Sequence, residues 1–214
     1  AAGIILIGSS PSGLASNVMA YLAKANIALS VTLTAVATLL APIMTPFLMK
    51  TLAGSFVPID FVAMMTSIFK IVIVPVLLGL VFNYFFHGKA KWLDKAMPII
   101  SMAGIGFIIM IITAAGRDDL LSIGLLLILA AIIHNLLGYV FGYWGCRIFG
   151  MSEQDCRTIA FEVGMQNGGL ATGIALEMGK ISTVGLAPAI FGPWMNISGS
   201  SLATWWRDKE PKKK

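Results

Sequence analysis

Apolar residues along this chain fall in long unbroken runs, and short clusters of glycine, proline and charge separate the runs. A helix that crosses the hydrocarbon layer of a bilayer takes about 20 apolar residues. Runs near that length lie at roughly 27 to 49, 61 to 86, 96 to 115, 120 to 149 and 181 to 206, and each predicts an intact membrane helix. Turn signals part them at Lys24-Ala25-Asn26, Gly54 to Pro58, His87 to Lys95, Gly116 to Asp119, Gly150-Met151-Ser152 and Gly179-Lys180. Two further stretches, 1 to 22 and 153 to 178, are long enough to cross but are interrupted. Ser9-Ser10-Pro11 and Met165-Gln166-Asn167 put poor helix formers and polar amides inside apolar surroundings, where an uninterrupted membrane helix has no use for them. Each stretch is expected to form two half-helices meeting near the midplane, for seven crossings in all.

The two interruptions also share a motif. Ser12-Gly13-Leu14-Ala15-Ser16 and Gly168-Gly169-Leu170-Ala171-Thr172 both read small, Gly, Leu, Ala, hydroxyl. Five crossings separate the two broken segments, and an odd number reverses direction through the membrane, so the repeat is expected to be inverted. Inverted repeats recur in secondary transporters, whose related halves open alternately to the two faces. Symmetry then predicts about three helices upstream of Ala1. The chain opens without methionine inside an apolar run, which fits a fragment or a trimmed sequence.

Composition agrees with a multi-pass membrane protein: 57% of the 214 residues are hydrophobic and 12% charged. The net charge of +5 comes mostly from loop and tail lysines, so topology signalling outweighs any nucleic-acid reading and no nucleic-acid partner is expected. One side of the predicted topology holds Lys24, Lys89, Lys91, Lys95, Arg147, Arg157, Arg207, Lys209, Lys212, Lys213 and Lys214; the other holds Lys50, Arg117 and Lys180. The positive-inside rule places the carboxyl terminus in the cytoplasm. Cys146 and Cys156 lack metal-ligand or redox spacing and are read as structural. Neither HExxH nor GxSxG occurs, so an intramembrane enzyme lacks its parts.

Candidate chemistry gathers at the interruptions. Glu162 is the single acid in the uncharged stretch 159 to 176. A charge at that depth costs about 3 kcal/mol unless a cation or donor accompanies it. Carbonyls of Glu162, Val163 and Met165, freed by the break, and the Gln166 side chain are expected to offer oxygen ligands suited to a hard cation such as sodium, with a proton as the competing occupant. Ser16 and Asn17 follow the first break, and Ser30 and Thr34, four apart, share a helix face from which Thr32 points away. Half-helix amino ends carry partial positive charge toward the midplane and favour an anionic solute. Gly13, Gly168 and Gly169 let a ligand approach the backbone, Asn167 adds an amide, and Asn196 stands at a plausible cavity edge. Lys70 and His134-Asn135 are the other polar residues within spans.

The segments GSSPSGLASN, ALSVTLT and FEVGMQNGGLAT resemble the bile acid:sodium symporter family, and bacterial members associated with pantoate and related organic acids look closest. That resemblance covers the whole chain and implies helices four to ten of a ten-helix, all-α fold with a panel domain, a core domain and two crossing broken helices. Residues 1–59 would then supply part of the core, 60–95 a panel-type helix and cytoplasmic loop, and 96–180 the second repeat with the broken helix at 153–178. Residues 181–206 would be the last helix and 207–214 a cytoplasmic basic tail. The resemblance implies two sodium sites, one at Ser16, Asn17, Ser30, Thr34 and Glu162, the other at Glu162, Val163, Met165 and Gln166. The second site also takes a glutamine from a helix upstream of Ala1. Solute is implied at Gly13, Leu14, Asn167 and Gly168, with Asn196 as a departure that makes bile acid itself a less safe guess than a small organic anion. Sodium-coupled symport in a bacterial cell membrane is the expected function. A proton-coupled carrier, or a passive channel or solute sensor, is the alternative.

Overall fold

The computed structural model describes residues 1–86 and 91–209, and all of its regular structure is helical. Of the expected turn at His87 to Lys95, residues 87–90 lie outside the described residues and 91–95 are helical; the last five tail residues, 210–214, also lie outside, and with them Lys89 and Lys212 to Lys214 of the orientation count. Three described helices are long and apolar enough to cross a membrane: Ile27–Ala53, Phe61–Phe86 and Arg117–Ile148, with a shorter apolar stretch at Ile99–Ala115. Their large side chains are widely exposed, among them Leu78, Ile99, Met102, Leu125 and Leu126, a surface that lipid rather than water can cover.

Both predicted interruptions are present. The first segment is α1 (Ala2–Gly8) and α2 (Ala15–Leu22), followed by α3 (Ile27–Ala53). A continuous helix then runs as α4 (Phe61–Ile68), a π-helical turn Phe69–Ile73 carrying Lys70, and α5 (Val74–Phe86). Next come α6 (Lys91–Ala115) and α7 (Arg117–Ile148). The second interrupted segment is α8 (Glu153–Gly164) and α9 (Gly168–Glu177), and α10 (Leu186–Arg207) closes the fold. Helices therefore end within about five residues of the expected positions, at the turn signals named above. Asn26, Asp60, Ser152 and Asn167 cap α3, α4, α8 and α9 through their side chains. Gly150 and Gly179 take positive φ in two of the turns, as does Lys24, the one non-glycine among the described residues to do so.

Packing of α7 on α8 positions the second interruption. A Cβ on Gly138 would stand 2.8 Å from the Gly164 Cα, and one on Gly142 would stand 2.7 Å from the Ile159 carbonyl oxygen. Glycines four apart on α7 therefore bring the two backbones together. Arg157 lies within the first half of the second interrupted segment, as its position implied, but it is 2% exposed inside the bundle. Its Nε donates to Glu153 at 3.1 Å, and its Nη1 donates to the carbonyls of Ala23, Trp206 and Lys209 at 3.0 to 3.1 Å. One guanidinium thus serves the carboxyl ends of α2 and α10, where helix dipoles favour a cation.

Candidate functional site

The two interruptions meet. Gly13 N–H donates to the Met165 carbonyl at 2.9 Å and Asn167 N–H to that of Pro11 at 2.7 Å, an antiparallel bridge centred on Ser12 and Gln166. Side chain at residue 13 is excluded, because a Cβ there would lie 2.9 Å from the Gln166 carbonyl oxygen. Backbone groups freed by the breaks find further partners: Thr45 donates to Ser9 O at 2.7 Å, Ser10 to Leu6 O at 2.9 Å, Asn135 to Gly164 O at 2.8 Å. Without water at this depth, these bonds let irregular backbone persist inside the bundle.

Glu162, 9% exposed, projects from α8 into the hydroxyls expected from sequence. Ser16 and Ser30 each approach Oε1 at 2.6 Å, and Thr34 donates to Oε2 at 2.8 Å. Asn17 Oδ1 lies 2.8 Å from Ser30 Oγ and 3.3 Å from Thr34 Oγ1, while Ser16 also reaches the Gly13 carbonyl at 2.8 Å. Thr32 turns away and donates to Ala28 O. Each of the three hydroxyls therefore faces two acceptors with one proton to give. The Gly13 carbonyl is a member of this oxygen cluster that sequence reasoning did not name; the Gly-x-x-Ser spacing at an interruption is the signal for it.

Val163, Met165 and Gln166 form a looser second group. Gln166 Nε2 donates to the Val163 carbonyl at 2.7 Å, and the Met165 carbonyl accepts from Gly13. Gln166 Oε1 and Ser12 Oγ are buried without a protein partner. They line a cavity of about 670 Å³ together with Glu162, Val163 and His134, whose Nε2 is also buried and unpaired.

Across the bridge lies a second cavity of about 370 Å³. All five candidate solute residues, Gly13, Leu14, Asn167, Gly168 and Asn196, line it, beside Gln166 and Thr172. Its apolar wall comes from Ile105, Ile108 and Ile109 of α6 and from Pro188, Pro193 and Met195 of α10, contributors that no local motif announced. Asn167 Oδ1 caps α9 by accepting from Leu170 N–H at 3.0 Å, which leaves its Nδ2 available to an acceptor in the cavity.

An all-helical membrane protein with an acid in an oxygen cluster beside a solute-sized cavity belongs among transporters of ions and small solutes. Residues 1–123 match the sodium bile acid symporter family, and the chain belongs to that family. It is 41% identical over 214 residues to the uncharacterized sodium-dependent transporter YocS of Bacillus subtilis, covering all of this chain and 66% of YocS. It is 35% identical over 212 residues to the probable sodium/metabolite cotransporter BASS1, chloroplastic, of Arabidopsis thaliana, covering 99% of this chain and 53% of BASS1. The chain thus spans between half and two thirds of the length of these curated relatives. Both relatives carry names that make sodium part of their transport.

Proposed function

We propose that this protein is a sodium-coupled symporter of a small organic anion that works by alternating access. The observation that carries the reading is the proton shortage around Glu162. Six acceptor contacts share three hydroxyl protons, and a small hard cation among Ser16, Asn17, Ser30, Thr34, Gly13 and Glu162 relieves that shortage with oxygen ligands. Val163, Met165 and Gln166 supply oxygens toward a second cation, with the unpaired Gln166 Oε1 as its most available ligand. The anion occupies the cavity at Gly13, Leu14, Asn167, Gly168 and Asn196, where the Asn167 amide and the N–H groups opening α9 face it.

The bridge supports an inverted repeat. Aligning the shared motif equates residue n with residue n plus about 156, so that Pro11 corresponds to Asn167 and Ser10 to Gln166. Antiparallel pairing of Ser12 with Gln166 puts Pro11 opposite Asn167, so motif and pairing share one centre. A local twofold axis there relates the two breaks, and two related halves are the framework of alternating access. We infer likewise the panel and core division that the family resemblance implies, with residues 60–95 on the panel side.

A second reading rests on the same oxygens. Reversing the Asn17 amide gives protons to Ser30 and Thr34, and a protonated Glu162 donating to Ser16 completes the balance without a cation. This is the proton-coupled carrier. Uptake of labelled pantoate, pyruvate and taurocholate into vesicles carrying the full polypeptide separates the readings. Accumulation with external sodium but not choline is expected for one or both small acids. Uptake driven by a pH gradient and indifferent to sodium assigns the proton-coupled carrier, and flux without accumulation assigns a channel.

A further inference from the structure

Between the solute cavity and the cation cluster lies a set of hydrogen bonds whose donors belong to neither. Asn135 of α7 is 0% exposed. Its Nδ2 donates to the Gly164 carbonyl at 2.8 Å, and its Oδ1 accepts from Ser198 Oγ at 2.6 Å. Tyr139 OH lies 3.1 Å from Ser198 Oγ. With the Ser198 proton directed to Asn135, Tyr139 is the donor to Ser198. A carbonyl only accepts, so Gly164 fixes which way the Asn135 amide faces. Donors therefore run one way, from Tyr139 through Ser198 and Asn135 to Gly164, an order in which each bond polarises the next.

Placement gives this chain of bonds its meaning. Gly164 ends α8, two residues beyond Glu162, and its carbonyl is one that the interruption leaves without a helical partner. Ser198 sits two residues beyond Asn196 on α10, the wall of the solute cavity. Gly199 brings α10 close to this joint, since a Cβ there would stand 2.9 Å from Met165 Sδ and 3.2 Å from Tyr139 OH. Apolar side chains can slide past one another. The hydrogen bonds at 2.6 to 2.8 Å on the fully buried Asn135 hold direction as well as distance, and breaking one strands the Asn135 amide away from water. A shift of α10 caused by solute at Asn196 thus reaches the backbone that carries Glu162, and the reverse holds for a cation.

We propose that the hydrogen-bond network of Asn135, Ser198 and Tyr139 is the positioning element through which the solute cavity and the cation cluster change each other's affinity. The proposal rests on the sodium-coupled reading above. Its test is the half-saturating sodium concentration of the full polypeptide, read by thermal shift in detergent with and without saturating pantoate. The ratio of the two values measures the coupling. In Ser198→Ala the ratio falls toward one, by about 3- to 30-fold, while sodium binding without pantoate stays within about twofold of the unaltered protein. Ser198→Thr, which keeps the hydroxyl, restores the ratio, and Tyr139→Phe lowers it part way. An unchanged ratio in both Ser198→Ala and Tyr139→Phe overturns the network's role and leaves the symport reading standing. Weaker binding of both ligands with the ratio intact also overturns it, as the mark of a purely structural contact. If Ser198→Ala does not fold, Tyr139→Phe decides alone. If pantoate, pyruvate and taurocholate all leave the sodium value of the unaltered protein unmoved, the symport reading fails and the network's role with it.

Discussion

Glu162→Gln removes the one formal charge from the oxygen cluster while keeping the shape of the side chain. In the native site the carboxylate meets three hydroxyls at 2.6 to 2.8 Å. A charge pair about 4 Å apart is worth roughly 4 kcal/mol at an effective dielectric constant of 20, and a ligated cation is closer than that. Against this stands the gain from no longer holding an acid at membrane depth, about 3 kcal/mol in the cation-free state. Glu162→Gln should therefore leave the sodium-free protein as stable as before or more so. Cation affinity should fall by about 3 kcal/mol, on the order of a hundredfold. At a sodium concentration one hundred times the native dissociation constant, binding stabilises the native protein by about 2.7 kcal/mol and the variant by about 0.4 kcal/mol. Thermal unfolding in detergent, with choline replacing sodium at constant ionic strength, reads the difference as a native shift of roughly 5 to 10 °C that nearly vanishes in the variant. Equal sodium-induced shifts in both proteins would refute the assignment of Glu162 as a cation ligand.

Substitutions at three other positions carry further outcomes. Arg157→Met should lower thermal stability by about 1 to 3 kcal/mol, because it removes the donor to three carbonyls at the ends of α2 and α10, while Glu153 keeps Tyr143 and Arg147. Arg157→Lys should recover only part of that loss in the same melt, since an ammonium cannot reproduce the planar fork. Gly138→Ala should cost about 1 to 3 kcal/mol and weaken sodium binding in a titration, as its methyl group forces α7 away from Gly164. Asn167→Ala should lose about 1 kcal/mol with the cap on α9. In pantoate binding assays it should also weaken the acid about ten- to hundredfold while sodium affinity alone stays unchanged.

Much of this architecture was legible because its causes are local. A run such as 27 to 49 must be helical in lipid whatever surrounds it, and observed α3 starts at the expected residue. Gly150 and Gly179 punctuate where they were expected to, and the spacing of Ser30 and Thr34 put both hydroxyls on one helix face, which the fold turns to Glu162. Partner choice was not legible in the same way. In the sequence Arg157 is only a charge on one side, with nothing nearby to name the ends of α2 and α10 as its partners. Asn135 was a lone amide in a long apolar helix, with nothing in its neighbours to name Gly164 or Ser198. The group at Val163, Met165 and Gln166 likewise depended on whether Gly13 would take the Met165 carbonyl.

Sequence alone determined where the chain is helical, where it breaks, and which residue types converge on the breaks, because backbone satisfaction in lipid and helical periodicity act over a few residues. Tertiary structure decided which oxygens face Glu162, how closely Gly13 passes Gln166, and that α10 walls the solute cavity while gripping the end of α8. Those outcomes turn on contacts of a few ångströms between segments that are distant in the chain. No local pattern encodes such distances, and only the packed fold sets them.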